Sequence, residues 1–145
     1  MLADPWRERA FSIGEAAAMA GLRRSQIDVW IMRQPADLFS EKRGHRRWLS
    51  PMDISVLAMA HQLERAGMSL LTAIGCAFEH LQNPPAPDAV FVIPAGSTSC
   101  TAGRFISDRD VMRLPIDKTV ILIPAGEIVA RIIAACADLR QTAAH

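Results

Sequence analysis

A proline-rich stretch, Asn83-Pro84-Pro85-Ala86-Pro87-Asp88, interrupts the chain just past its middle and constrains the fold more than any other feature. Proline removes a backbone donor and blocks a helix interior, so no helix can continue through this stretch. The hydrophobic pattern changes across it, from helical spacing before to short apolar runs after. We therefore predict a connector at residues 83–88 between a head at 11–82 and a small module at 89–145, with a flexible arm at 1–10.

The beginning of the head has the pattern of two short helices joined by a turn. Ser12 and Glu15 have the spacing of a capping box, which marks a helix start. Gly21 ends this first helix, because glycine readily closes a helix C-terminus. A second helix is predicted from about Arg24 to Met32. This order is typical of a helix-turn-helix.

A polar hairpin and two further helices are predicted after a loop at residues 34–40. The segment Glu41–Trp48 is polar, with Gly44 near its centre, and predicts a two-stranded wing. Ser50-Pro51-Met52-Asp53 combines a capping residue, a proline and an acid, which together favour the start of a third helix. Ser69 is predicted to cap a fourth helix that runs to the connector.

Positive charge is clustered on the second helix and on the hairpin, although the formal net charge of the chain is only +1. Cationic side chains neutralise DNA phosphates, and recognition helices place their N-terminal residues on base edges. The residues expected to read bases are Arg24, Ser25, Gln26 and Asp28. The residues expected to hold the DNA backbone are Arg23, Lys42, Arg43, His45, Arg46 and Arg47.

Four segments, in this order, resemble the DNA-binding domain of the MerR family. They are Ser12-Ile13-Gly14-Glu15-Ala16, Gly44-His45-Arg46-Arg47-Trp48, Ser50-Pro51-Met52-Asp53-Ile54 and Leu63-Glu64-Arg65-Ala66-Gly67-Met68-Ser69-Leu70. The resemblance covers about half of the chain and implies a winged helix-turn-helix of a transcriptional regulator. Arg23 and Asp28 depart from the family's pattern, where a capping hydroxyl and a backbone-contacting arginine are usual. Asp28 is therefore expected to face a base amino group or to pair with Arg24.

The module after the connector does not contain the long coiled-coil helix through which MerR regulators dimerise. Strands at Val90–Ile93 and Thr119–Ile123, a short helix at Asp108–Leu114 and an amphipathic helix at Glu127–Leu139 are predicted. Both strands precede the tripeptide Pro-Ala-Gly, which we interpret as two adjacent strands ending in similar turns. So small a module must bury its apolar surface against the head or against a second copy. We expect a homodimer that uses the apolar stripe of the last helix: Ile128, Ile132, Ile133 and Leu139.

The chain has no pattern typical of a metal, cofactor or catalytic site. Cys76, Cys100 and Cys136 are few, odd in number and far apart in sequence, and neither Cys100 nor Cys136 is accompanied by a C-x-x-C pair or a histidine. The loop Ser97–Thr101 contains hydroxyls but neither a lysine nor a convincing general base. We expect no enzyme activity, no metal and no cofactor, although this loop leaves room for a small effector of unknown identity.

The sequence thus predicts an α+β, mainly α protein: a head of four helices plus a two-stranded wing, followed by a small αβ module. The predicted function is a sequence-specific regulator of transcription that binds double-stranded DNA. Two alternatives stay open: an architectural DNA-binding protein of a phage or mobile element, such as an excisionase or packaging subunit, and a protein-interaction adaptor that no longer reads DNA. The polar start and the interrupted apolar stretch at 120–137 give no indication of a signal peptide or membrane span, so a soluble cytoplasmic protein is expected.

Overall fold

The computed structural model describes residues 4–33 and 39–144, and these residues adopt a mixed α+β fold. Their helices are α1 (Ile13–Ala20), α2 (Arg24–Arg33), α3 (Pro51–Arg65), α4 (Leu70–His80) and α5 (Ala125–Ala143). Their strands are β1 (Phe11–Ser12), β2 (Glu41–Arg43), β3 (Arg46–Leu49), β4 (Ala89–Pro94), β5 (Arg104–Ser107) and β6 (Val120–Ile123). Short 3₁₀ helices follow at Cys100–Ala102 and Asp108–Arg113. Most of the loop predicted at 34–40 lies outside the described residues.

The predicted helix starts are confirmed by side-chain caps. The Glu15 amide donates to Ser12 Oγ at 3.2 Å while the Ser12 amide donates to Glu15 Oε1 at 3.0 Å. The same reciprocal pair links Ser50 and Asp53 at the start of α3, with distances of 2.8 and 3.0 Å. Each cap contributes on the order of 1 kcal/mol because it satisfies amides that lack a partner inside the helix. These caps fix where α1 and α3 begin.

Two three-stranded antiparallel sheets form within the described residues, in the orders β1-β3-β2 and β5-β4-β6. The predicted hairpin is confirmed as β2 and β3, and the predicted strands of the module as β4 and β6. Strands β1 and β5 were not predicted, because each is short and is defined by a partner distant in sequence. Phe11 pairs with Leu49, and Phe91 pairs with Phe105. β1 therefore ties the start of α1 to the hairpin.

The two Pro-Ala-Gly tripeptides have different structures, so the prediction of similar turns is wrong. Strands β4 and β6 are adjacent, as expected. After β4, Gly96 lies in a turn with a φ of 78°. After β6, Gly126 is already in the first turn of α5, and a Cβ there would lie 2.2 Å from the Ala86 carbonyl oxygen. The second glycine is thus required by a close approach of the connector rather than by a turn.

One hydrophobic core extends across the predicted connector. Helix α3 lies at its centre, and every residue from Pro51 to Ala60 is buried. Phe91 and Ile93 from β4 and Val129 from α5 belong to the same cluster. Of the two arrangements left open by the sequence, the module therefore buries its apolar surface against the head.

Most of the predicted dimerisation stripe is inside this core. Ile128 is buried, Ile132 is only 2% exposed, and Leu139 packs at the edge of the cluster. Ile133 is 41% exposed. The prediction is therefore corrected for Ile128 and Ile132, which are not available to a second copy, whereas Ile133 and the partly buried Leu139 are.

The described part of the predicted arm, residues 4–10, is docked onto the fold rather than loose. Trp6 is 7% exposed, and its Nε1 donates to the Gln82 carbonyl at 3.3 Å. Arg9 Nε forms a 3.0 Å ion pair with the buried carboxylate of Asp53. Among the described residues, no helix combines the length and the apolar character needed to cross a membrane.

Candidate nucleic-acid interface

Helix α2 buries one side and exposes the other. Ile27 and Trp30 are in the core, since residues three apart lie on one face of a helix. The exposed side carries Arg24, Ser25, Asp28, Val29 and Met32. Sequence reasoning missed the last two, which are 42% and 87% exposed. Their spacing of four and seven residues from Ser25 is the signal that places them on this face.

The start of α2 gives Gln26 a structural role. The Arg23 backbone amide donates to Gln26 Oε1 at 3.0 Å, and Gln26 is half-buried. This bond satisfies one of the amides that a helix start leaves without an intrahelical partner. The prediction that Gln26 reads a base is therefore corrected, because its side chain folds back on the helix start. Arg23 and Arg24 are exposed.

The hairpin presents cations on both of its faces. Gly44 has a φ of 65° at the first turn position, where tight hairpin turns require a residue that tolerates positive φ. The register pairs Lys42 with Arg47 and Arg43 with Arg46. Because directly paired residues lie on the same face, each pair occupies one face of the hairpin.

Two of these cations also hold the hairpin in place. Arg43 forms a 3.4 Å ion pair with Glu41, its guanidinium lies 5.2 Å from the centroid of the Trp48 ring, and it donates to the Arg9 carbonyl. Arg47 donates to Ser40 Oγ at 3.1 Å. Both residues were predicted as backbone contacts, and the structure engages them in contacts that position the strands.

A cleft of about 380 Å³ lies between the start of α1, the start of α2 and the hairpin. It is lined by Ser12, Ile13, Gly14, Arg24, His45, Arg46, Arg47 and Trp48. We call it the α2–hairpin cleft. Arg24 and Arg46 enter it from different elements, and within the described residues neither forms an ion pair with a carboxylate. The N-terminal end of α1, where the helix dipole is positive, faces the same space.

The α2–hairpin cleft unites part of the predicted site. Among its lining residues are one predicted base reader, Arg24, and three predicted backbone contacts, His45, Arg46 and Arg47. The lining does not include Arg23, Ser25, Asp28, Lys42 or Arg43. Asp28 is exposed, and in the described part of the chain it forms no ion pair with Arg24.

No protein-family model matches this chain, and the search of curated proteins returned no match. The four segments named above therefore carry the resemblance to the MerR family by themselves. Within residues 4–33 and 39–144, no three His, Cys, Asp or Glu side chains are grouped so that they could hold a metal ion. The residues that line the α2–hairpin cleft offer cationic and neutral hydrogen-bond donors.

Proposed function

We propose that this chain is a sequence-specific regulator of transcription that binds double-stranded DNA through a winged helix-turn-helix of the MerR type. The observation that carries the proposal is the α2–hairpin cleft, in which Arg24 and Arg46 face one space without a carboxylate partner in the described residues. Two arginines in such a position favour a phosphate group between them. The hairpin is the wing in this proposal.

The exposed side of α2 supplies the residues for base reading. Hydroxyls hydrogen-bond to several bases, a carboxylate accepts from the cytosine amino group, and apolar side chains contact the thymine methyl. Ser25, Asp28 and Val29 offer these three chemistries on one face. Because Asp28 repels phosphate, we place it over a base edge rather than over the DNA backbone.

We further propose that the protein acts as a homodimer. The outer side of α5 carries a stripe of exposed apolar residues at helical spacing: Ala130, Ile133, Ala134 and Ala137. Small residues at this spacing allow two helices to approach closely. A dimer would place two copies of α2 on two half-sites of one operator.

Binding measurements on single-arginine variants test the proposal. Fluorescence anisotropy with labelled genomic duplexes would compare the wild type with Arg24→Ala, Arg46→Ala and the control Arg109→Ala. Arg109 is exposed on the 3₁₀ helix between β5 and β6, away from the α2–hairpin cleft. We expect at least about tenfold weaker binding for each of the first two variants, since a charge-assisted hydrogen bond contributes roughly 1.5–3 kcal/mol and about 1.4 kcal/mol is a factor of ten.

The control is expected to bind DNA as the wild type does. Equal affinity of all four proteins would contradict the assignment of the α2–hairpin cleft. Binding that does not discriminate among genomic fragments at physiological salt would contradict sequence-specific reading.

A further inference from the structure

A second cleft, of about 390 Å³, lies where the C-terminal turn of α1 meets α3 and α5. Its lining residues are Ala18, Met19, Ala20, Gly21, Ala58, His61, Gln62, Arg65, Ile128, Arg131 and Ile132. We call it the α1–α3–α5 cleft. It shares no residue with the α2–hairpin cleft, so its chemistry must be explained separately.

Two arginines from different helices give this cleft a positive rim. Arg65 is at the end of α3 and Arg131 is in α5, and both are exposed. In the described part of the chain neither guanidinium has an ion-pair partner. Two such cations at one cleft repel each other, and an anion between them removes that repulsion and adds charge-assisted hydrogen bonds. The rim therefore favours an anionic ligand.

The floor adds polar groups and an apolar wall. Gln62 offers an amide, and the half-buried His61 lies beside it, with its ring centroid 6.5 Å from that of Trp30. The apolar side is formed by the exposed Ala18 and the partly exposed Met19 and Ala20, with the buried Ile128 and Ile132 beneath them. A small inorganic anion would leave this wall unused, whereas an organic anion would cover it. The volume is at the lower end of the range for small-molecule sites, which favours a small ligand.

We propose that the α1–α3–α5 cleft binds a small organic carboxylate. Its carboxylate lies between Arg65 and Arg131, and its apolar body lies against Ile128 and Met19. Such a ligand bridges the head and α5, because its contacts come from α1, α3 and α5 together. Binding to the folded chain therefore raises its thermal stability.

Calorimetric titration and thermal melting, both without DNA, test this site with benzoate as the probe and benzamide as its uncharged counterpart. The variants are Arg65→Gln and Arg131→Gln, with Arg109→Gln as the matched control on another surface. Because both arginines are exposed, their replacement leaves the core intact. We expect benzoate to bind the wild type and raise its Tm. Each rim variant is expected to bind about tenfold more weakly, in line with the loss of a hydrogen bond to a charged group.

The control Arg109→Gln is expected to match the wild type, and benzamide is expected not to bind. A further variant, Ala18→Leu, fills the cleft from an exposed position while keeping both charges, and it should abolish the benzoate effect. Absence of benzoate binding to the wild type would overturn the proposal. So would equal binding to the wild type and both rim variants, since that would place the ligand elsewhere. Because no DNA is present, these outcomes are independent of the proposed regulatory function.

Discussion

At the scale of single residues, arginines on the hairpin differ in what they contact. Arg43 is engaged by Glu41 and by the Trp48 ring, a cation–π contact worth about 0.5–1 kcal/mol at an exposed site. Arg46 is exposed, lines the α2–hairpin cleft and has no ion-pair partner in the described residues. Replacing Arg43 would disturb the hairpin itself, whereas replacing Arg46 changes the charge that faces the cleft. Arg46 is therefore the better residue for a test of ligand contact.

The three cysteines are expected to differ in reactivity, because the thiolate is the reactive form. Burial, reinforced by the neighbouring Cys100 thiol, raises the pKa of Cys76 to about 12. Burial raises the pKa of Cys136 to about 11. Cys100 is partly exposed. We expect a disulfide reagent at pH 8 to modify one thiol rapidly in the folded protein, and mass spectrometry to locate it at Cys100.

The variant Cys100→Ser is the control for this assignment, and it should lose the rapid phase while keeping the slow reaction of the other two thiols. A rapid phase that persists in this variant would contradict the assignment to Cys100.

The raised pKa values of Cys76 and Cys136 also predict a pH dependence of stability. Both thiols stay protonated in the folded state while the unfolded chain loses these protons above about pH 9, so stability should decrease as the pH rises beyond that value.

At the scale of elements, helix α5 has two faces with different partners. Its inner face packs on the core through Ile128, Val129 and Ile132. Its outer face exposes Ile133 among alanines. The predicted homodimer therefore depends on the outer face.

Light scattering on Ile133→Asp tests the dimer contact. A buried carboxylate without a partner is costly, so the variant should be a monomer at concentrations where the wild type is a dimer. Met112→Asp is the matched control, because Met112 is an exposed apolar residue on a different surface. An unchanged oligomeric state in Ile133→Asp would remove this face of α5 from the interface.

The elements that could be predicted are those whose signals are local. The caps at Ser12, Ser50 and Ser69 fix helix starts by hydrogen bonds that span three residues, so the sequence around each is sufficient. Strands β1 and β5 could not be predicted, because their pairing partners are distant in sequence. The tripeptide Pro-Ala-Gly forms a turn after β4 but begins α5 after β6. The difference could not be predicted locally, because Gly126 packs against the connector, which is distant in sequence.

Local sequence signals also predicted part of the candidate interface. Arg24 lies on the predicted second helix and Arg46 on the predicted hairpin, so the sequence was sufficient to place both residues. The role of Gln26 at the start of α2 was not predicted, although its spacing from Arg23 is that of a reciprocal cap. The exposure of Val29 and Met32 required knowledge of which face of α2 the core covers.

At the scale of the whole molecule, the head and the module share one hydrophobic core around α3. An apolar stripe on a helix shows that one face is buried, but it does not identify the surface that covers it. This is why the sequence left packing on the head and packing on a second copy as alternatives. The shared core also means that a ligand in the α1–α3–α5 cleft contacts the head and the module at the same time.

The salt dependence of DNA affinity measures how many DNA phosphates the protein contacts. Each phosphate contact releases counterions, so the slope of log K against log salt reports the number of contacts. We predict that Arg46→Ala reduces the magnitude of this slope by about one unit relative to the wild type, while Arg109→Ala leaves it unchanged. Identical slopes for wild type and Arg46→Ala would contradict the claim that the α2–hairpin cleft holds the DNA backbone.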